Sequence, residues 1–435
     1  MQRRDAVKAM AAAVVIPPVF RWQDPAWTQW GVNGERVNRF MSEMAPIGRT
    51  QDGQVRTGFS DAVIEARRYA TGLMRGAGLD VEIDPAGNVI GRRAGAATGL
   101  KPILFGSHVD SVFNGGNYDG ATGTMCALEV AHTLNDQRYQ NRHPLWVTIW
   151  CDEERGLTGS RGFIGDITAE DLGHPDAGGR TLAENIRRIG GNPERLATYR
   201  HEPGSIAAYL ELHIEQGGIL DRTGIQIGVV EGIVGIMSWD VTITGLANHS
   251  GTTPMEERRN ALLAASELAL AVDRIVRARP GRQVGTVGRL TVKPSVQNIV
   301  PAEVSHSIEL RDLSMEKLET LWSEIRAEGD RIMERRGTTW THTPRPTNIS
   351  AISTPAIRDV ITESAGALGL TSQVMPSGAG HDAQDLAKIG PMGMIFVPSV
   401  GGISHSPKEF TKPEDIANGA NVLLQTVLRL DQRLP

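Results

Sequence analysis

MSWDVTI (237–243), NALLAASELALAVDRIVRA (260–278), QVGTVGRLTV (283–292), VSHSIELRD (304–312), MEKLETLWSEIRAEGDRIMERR (315–336) and TTWTHT (338–343) succeed one another as strand, helix, strand, strand, helix, strand. This βαββαβ order folds as a compact ferredoxin-like module. Phrases suited to metal ligation lie both before and after it, so the module is an insertion and the domain around it is discontinuous.

Outside the module the pattern is alternating α/β. Ser60 caps a helix through IEARRYATGLM (64–74), stopped by Gly76 and Gly78, and β-rich runs follow at LDVEI, NVIGR and PILFG. TGTMCALEVAHTLND (122–136) reads as a helix and PLWVTIW (144–150) as a buried strand, which sets His108 and Glu154 at the carboxyl ends of strands, where open α/β sheets bind ligands. After the module come helix PAIRDVITESAGALG, strand MGMIFVP and closing helix PEDIANGANVLLQTVLRLD. The expected fold class is α/β, with a catalytic domain at 26–235 and 349–435 and the inserted module at 236–348.

A chain of 435 residues exceeds what one hydrophobic core usually supports, and 40% hydrophobic content suffices for two. A net charge of -5 provides no basic stripe, which argues against nucleic acid as partner. Cys126 and Cys151 sit among apolar residues, so a disulfide framework is excluded. No run reaches the roughly 20 apolar residues of a membrane span. The start, MQRRDAVKAMAAAVVIPPVF, sets Arg3, Arg4 and Lys8 before a short apolar run, as in a twin-arginine export signal. Residues 1–25 are therefore left out of fold reasoning and the periplasm is expected, with a cytoplasmic chain carrying two incidental arginines as the alternative.

Five phrases carry the chemistry: GSHVDS (106–111), GGNYDG (115–120), CDEERG (151–156), ELHIEQG (211–217) and GGISHSPKE (401–409). Each sets His108, Asp119, Glu154, His213 or His405 near glycine, and mixed imidazole and carboxylate suits Zn²⁺, Mn²⁺ or Co²⁺. A lone histidine is more often a core or surface residue; together the five imply a two-metal hydrolase. Asp119, in a Gly-rich turn, can bridge two ions, while Asp110 can accept from the His108 imidazole. Glu153 and Glu154 point apart, so Glu154 ligates and Glu153 serves as general base; a solvated acidic turn is the bland alternative. Nothing resembles a nucleophile elbow.

GSHVDSVFNGGNYDG, ELHIEQGGILD, GLANHSGTTPM, SGAGHDAQDLA and MIFVPSVGGISHSPKEF together resemble the M20 metallopeptidase superfamily, in its hydantoinase/carbamoylase branch, from about Gly31 onward. The resemblance implies two divalent ions per subunit (Zn²⁺ or Mn²⁺, with Co²⁺ or Ni²⁺ possible) held by His108, Asp119, Glu154, His213 and His405, with Glu153 as base. It implies that Gln216 fixes substrate, that the module is a lid and dimerisation domain, and that His249, Asn298 and Arg311 reach the partner subunit's active site in a homodimer. A guanidinium fork at Arg311 suits a substrate carboxylate, and His249 suits a developing oxyanion. Gly380 and His381 read as further cleft wall. Alternatively, Arg311 pairs with Asp312 or Glu309, Asn298 is a turn residue before Pro301, and His249 is a loop histidine.

The chain departs from the branch at EERGLTGSRGF, which is shorter after the acidic pair, and at ERRNAL, where Asn260 stands at an acidic position. The implied activity is hydrolysis of the carbamoyl C–N bond, a linear amide, of an N-carbamoyl-L-amino acid. Alternatives are allantoate or another ureido acid, an M20 aminoacylase or dipeptidase, and, from a different class, a non-catalytic binder that the intact Glu153 argues against.

Overall fold

The computed structural model describes residues 26–435, so the twin-arginine segment lies outside the described residues. Contacts divide the chain at Trp30; before that point the described part is a single 3-10 turn, Ala26–Gln29, and the unit from Gly31 to Pro435 holds everything below.

The large sheet is built from β1 (Asp80–Ile83), β2 (Val89–Arg93), β3 (Ile103–His108), β4 (Leu145–Trp150), β5 (Ala208–Ile214) and β6 (Ile227–Ile233). The chain then leaves it for β7 (Gly235–Thr244), β8 (Val284–Lys293), β9 (Glu303–Asp312) and β10 (Thr339–Pro344), and returns with β11 (Ala351–Ile352), β12 (Ser372–Ser377) and β13 (Met392–Val397). The large-sheet order is β1-β2-β4-β3-β5-β13-β6-β11, with β12 also on β6. Its centre is parallel: β3 pairs β4 and β5, and β5 pairs β13. β3, β5 and β13 are buried along their whole length, as parallel strands covered on both faces must be.

Two helices cover this centre. Ala121–Asp136 packs on β3 and β5, and Pro413–Arg433 packs on that helix and on β13. A Cβ on Gly123 would run into the Leu212 carbonyl of β5, so glycine sets how closely the first helix approaches the sheet. The predicted Ser60 cap is present: its side chain accepts from the Val63 N–H at the start of Asp61–Gly76.

The smaller sheet is antiparallel in the order β10-β7-β9-β8. With helices Ala261–Ala278 and Met315–Arg336 it has the βαββαβ order read from the sequence and its own core, including Val241, Leu268, Ile308 and Leu321. Asn260, the departure noted above, caps the first helix by accepting from Leu262 and Leu263 N–H. Among the described residues no helix is long and apolar enough to cross a membrane.

Candidate metal centre

The carboxyl ends of the parallel strands converge. His108 is the last residue of β3, His213 lies at the end of β5, and Asp119 sits in the turn that opens helix Ala121–Asp136. Gly120 holds φ +60°, and a Cβ there would collide with the His108 ring. Glu153 and Glu154 begin the short helix Glu153–Gly156 just after β4, and His405 follows β13 on a loop.

Asp119 lies at the centre, 4% exposed. Its Oδ1 is 3.1 Å from His213 Nε2 and 3.6 Å from His108 Nε2, whereas its Oδ2 is 3.4 Å from His405 Nε2, itself 3.5 Å from Glu154 Oε2. Two donor sets share this carboxylate: His108, Asp119 and His213, and Asp119, Glu154 and His405, each with its donor atoms within 4.8 Å of one another.

The imidazoles are prepared as ligands. His213 Nδ1 lies 2.9 Å from the Ile214 carbonyl and His108 Nδ1 lies 3.2 Å from the Asp110 carbonyl. A carbonyl only accepts, so each Nδ1 carries a proton, which leaves Nε2, the nitrogen on the Asp119 side, as the atom a metal ion would take in place of a proton. His108 Nε2 is buried without a hydrogen-bond partner, the condition of a ligand atom awaiting a cation. A further combination, Glu211, His213 and His381, is geometrically close. Glu211 is already filled by Ser107, Tyr209 and the Ala383 N–H, which argues for the first two sets.

The electrostatics are those of a crowded anionic site. Burial disfavours the Asp119 charge, but His213, His405 and His108 hold its pKa well below the usual range. Burial would strip His108 of a proton, yet Glu153, Asp110 and Asp119 hold its pKa well above that of an ordinary histidine. Burial, reinforced by Asp382 and Glu154, pushes Glu153 well up, and burial with Asp119 pushes Glu154 to about 7. Acids packed this closely call for cationic partners, and the oxygen and imidazole donors fit a pair of divalent ions.

Glu153 Oε2 is 3.7 Å from His108 Nε2, beside the centre yet outside both donor sets. The Asp110 carboxylate stands 3.5 Å from His108 Nδ1, which the Asp110 carbonyl reaches more closely, and it also accepts the Glu153 and Glu154 N–H groups, so it orients the acidic pair as well as the imidazole. Gln216 Nε2 donates to Asp119 Oδ2 at 2.7 Å. Asp152, Leu157, Gln216 and His405 all hold φ between 51° and 56°, a left-handed conformation that non-glycine residues adopt at a cost of about 1–3 kcal/mol and that clusters at functional sites.

A cleft of about 760 Å³ opens on the centre, lined by Asp119, Glu153, Glu154, His213 and His405 together with Gln216, Arg311, Gly380 and His381. Arg311 does bind Glu309, through Nε at 2.8 Å, and its Nη1 donates to the Gly378 carbonyl at 2.7 Å. His381 bonds Ser377 and its ring lies 4.5 Å from that of His213. His249 and Asn298 are not brought to this cleft: both are exposed, His249 Nδ1 accepts the Gly251 N–H, and Asn298 gives its carbonyl to Ser250.

Sequence reasoning missed two residues that hold the loops. Glu409 Oε1 accepts the Tyr118 and Asp119 N–H groups, while its Oε2 accepts from Ser404, which also donates to Asp119. The only signal was its presence in GGISHSPKE. Buried Arg56 donates to the Val109 carbonyl and the Asn117 side chain, tying both ligand loops together. Nothing in QVRTGFS announced it.

A family model for peptidase family M20/M25/M40 matches residues 104–429. The chain belongs to that family. Within the M20 group it is 38% identical over 407 residues to an N-carbamoyl-L-amino acid amidohydrolase of Geobacillus stearothermophilus, covering 92% of this chain and 99% of that protein. It is 32% identical to an allantoate amidohydrolase of Bacillus subtilis, with 91% and 97% covered. Among solved structures, an amidase of the hydantoinase/carbamoylase family from Burkholderia multivorans superposes with a TM-score of 0.87 at 34% identity, covering 93% of this chain and 99% of that one.

Proposed function

We propose that this M20 chain is a binuclear metal-dependent amidohydrolase that removes the carbamoyl group of an N-carbamoyl-L-amino acid, giving the amino acid, ammonia and carbon dioxide. The observation that carries this reading is the Asp119 carboxylate, one oxygen turned to His108 and His213 and the other to His405 beside Glu154. Two divalent ions, Zn²⁺ or Mn²⁺, held by those two sets would polarise a carbonyl and acidify water. Glu153 takes a proton from water as the new C–O bond forms and delivers it to the departing amino-acid nitrogen as the C–N bond breaks; the carbamic acid released then loses carbon dioxide to give ammonia. Asp110 orients the acidic pair; Gln216 and Arg311 fix the ureido and carboxylate ends, with Gly380 and His381 as wall.

His249 and Asn298 complete the site from the second subunit of a homodimer, with residues 236–348 as lid and dimerisation domain and 26–235 with 349–435 as the catalytic domain. Support comes from the absence of both residues from the cleft of their own chain, and from the exposed edge strand β8 with Leu290 57% exposed and Leu270 72% exposed on the helix before it. Export through a twin-arginine route is part of the reading, on the strength of Arg3, Arg4 and the apolar run after them. Allantoate is the second reading, favoured by the Bacillus subtilis relative.

The test is turnover of N-carbamoyl-L-methionine, allantoate and 3-ureidopropionate by purified protein loaded with Mn²⁺ or Zn²⁺. Hydrolysis of the carbamoyl amino acid is expected, and silence on all three contradicts the ureido assignment.

A further inference from the structure

Besides Arg311, two guanidinium groups line the cleft with the metal centre: Arg161, and Arg155 on the short helix that begins with Glu153 and Glu154. Arg155 falls in the segment where the chain is shorter than the branch pattern. Its Nε bonds the Asp152 carboxylate at 3.2 Å, an acid that Thr158 also engages. Among the described residues its two terminal nitrogens make no hydrogen bond, and its side chain is 46% exposed.

The other charges of the outer cleft are already matched. Arg161 holds Asp171 at 2.9 Å, and Lys388 holds Asp166 at 3.0 Å and Asp385 at 2.9 Å. Arg311 spends Nε on Glu309 and Nη1 on the Gly378 carbonyl, leaving Nη2 free among the described residues. The cleft thus offers unspent guanidinium donors from two separate elements, the short helix and β9. Planar N–H donors of this kind pair with carboxylates.

We infer that the substrate is a ureido diacid, an N-carbamoyl derivative of an acidic amino acid, with Arg155 receiving the side-chain carboxylate. This rests on the ureido reading above and names its substrate class. Arg155 is a specificity residue: it touches the part of the substrate remote from the reacting carbon, and its loss acts on binding.

The experiment compares N-carbamoyl-L-aspartate and N-carbamoyl-L-glutamate with N-carbamoyl-L-methionine on the full-length, metal-loaded enzyme, in wild type, Arg155→Met and Arg155→Lys. Wild type is expected to favour a diacid in kcat/KM. Arg155→Met should lower the ratio of diacid to monoacid kcat/KM about tenfold, through KM, as loss of a charge-assisted contact does, and Arg155→Lys should recover part of it. A purely structural role for the Arg155–Asp152 pair would move both substrates together and leave the ratio intact, which would overturn the assignment while hydrolysis, and with it the ureido reading, stands.

Calorimetric binding of N-carbamoyl-L-aspartate to metal-loaded Glu153→Gln, with and without Arg155→Met, separates the two readings where turnover fails. Binding weakened about tenfold by the second substitution supports the diacid site even if the ureido chemistry is wrong. Equal binding overturns it.

Discussion

The ligand loops of the large sheet and the loops of the smaller sheet are built on opposite principles. In the first, each functional group is held by its own chain: Asp119 by Gln216 and Ser404, its loop by Glu409 and Arg56, the acidic pair by Asp110. In the second, His249 and Asn298 are exposed on two loops that bond each other, whereas Arg311 reaches the cleft. On the reading proposed above, the metal-binding half is preorganised within one chain and the substrate-binding half is completed by the second subunit. Damage to the first should be felt by the metals or the chemistry, and damage to the second by the substrate.

The largest effect belongs to the base. Glu153→Gln should lower kcat about 10³-fold with metal content unchanged, because proton transfer is lost while both donor sets stay intact; near-normal turnover would remove Glu153 from the mechanism. Glu409→Ala should weaken metal binding by about 10–100-fold, as loss of a group that orients ligands does. Competition with a chelator reads this directly, and unaltered affinity would show that the ligand loops hold themselves. On the other side, His249→Ala should leave metal content untouched. Mixing His249→Ala chains with Glu153→Gln chains should restore activity that neither has alone if the two residues meet across subunits; no recovery would place His249 in the site of its own chain.

Much of the difference between the halves follows from what a sequence can display. All five candidate ligands lie in phrases whose glycines and clustered His, Asp and Glu are local signals, and β7, β9 and β10 were legible because apolar and polar residues alternate along them, whereas β8 breaks its alternation at a register shift between Gly288 and Leu290. β5 and β6, buried along almost all their length, show no alternation, and β11 has two residues, so the pairing of the large sheet's far side could not be read. Glu409 and Arg56 act through contacts with chain 290 and 61 residues away, which no local pattern carries. Arg311 pairs with Glu309, as its alternative reading had it, and lines the cleft of its own chain, not the partner's site that the resemblance implied.

The smallest effect is on pH. In metal-free protein the hydrogen bond to Asp119 raises His405 to about 9, with burial opposing and Glu154 assisting. A raised pKa means a stabilising contribution that is complete below the ordinary histidine value of 6.5 and lost as pH climbs through about 9. A metal ion must displace that proton, so chelator-measured affinity should rise with pH across the same window. A flat profile would mean that His405 is not a ligand.

Metal content of the dialysed protein tests the shared carboxylate most directly. Two divalent ions per wild-type chain, one after His405→Ala and none after Asp119→Ala are predicted; one ion or fewer in the wild type, or two surviving the loss of Asp119, would contradict a centre organised around that residue.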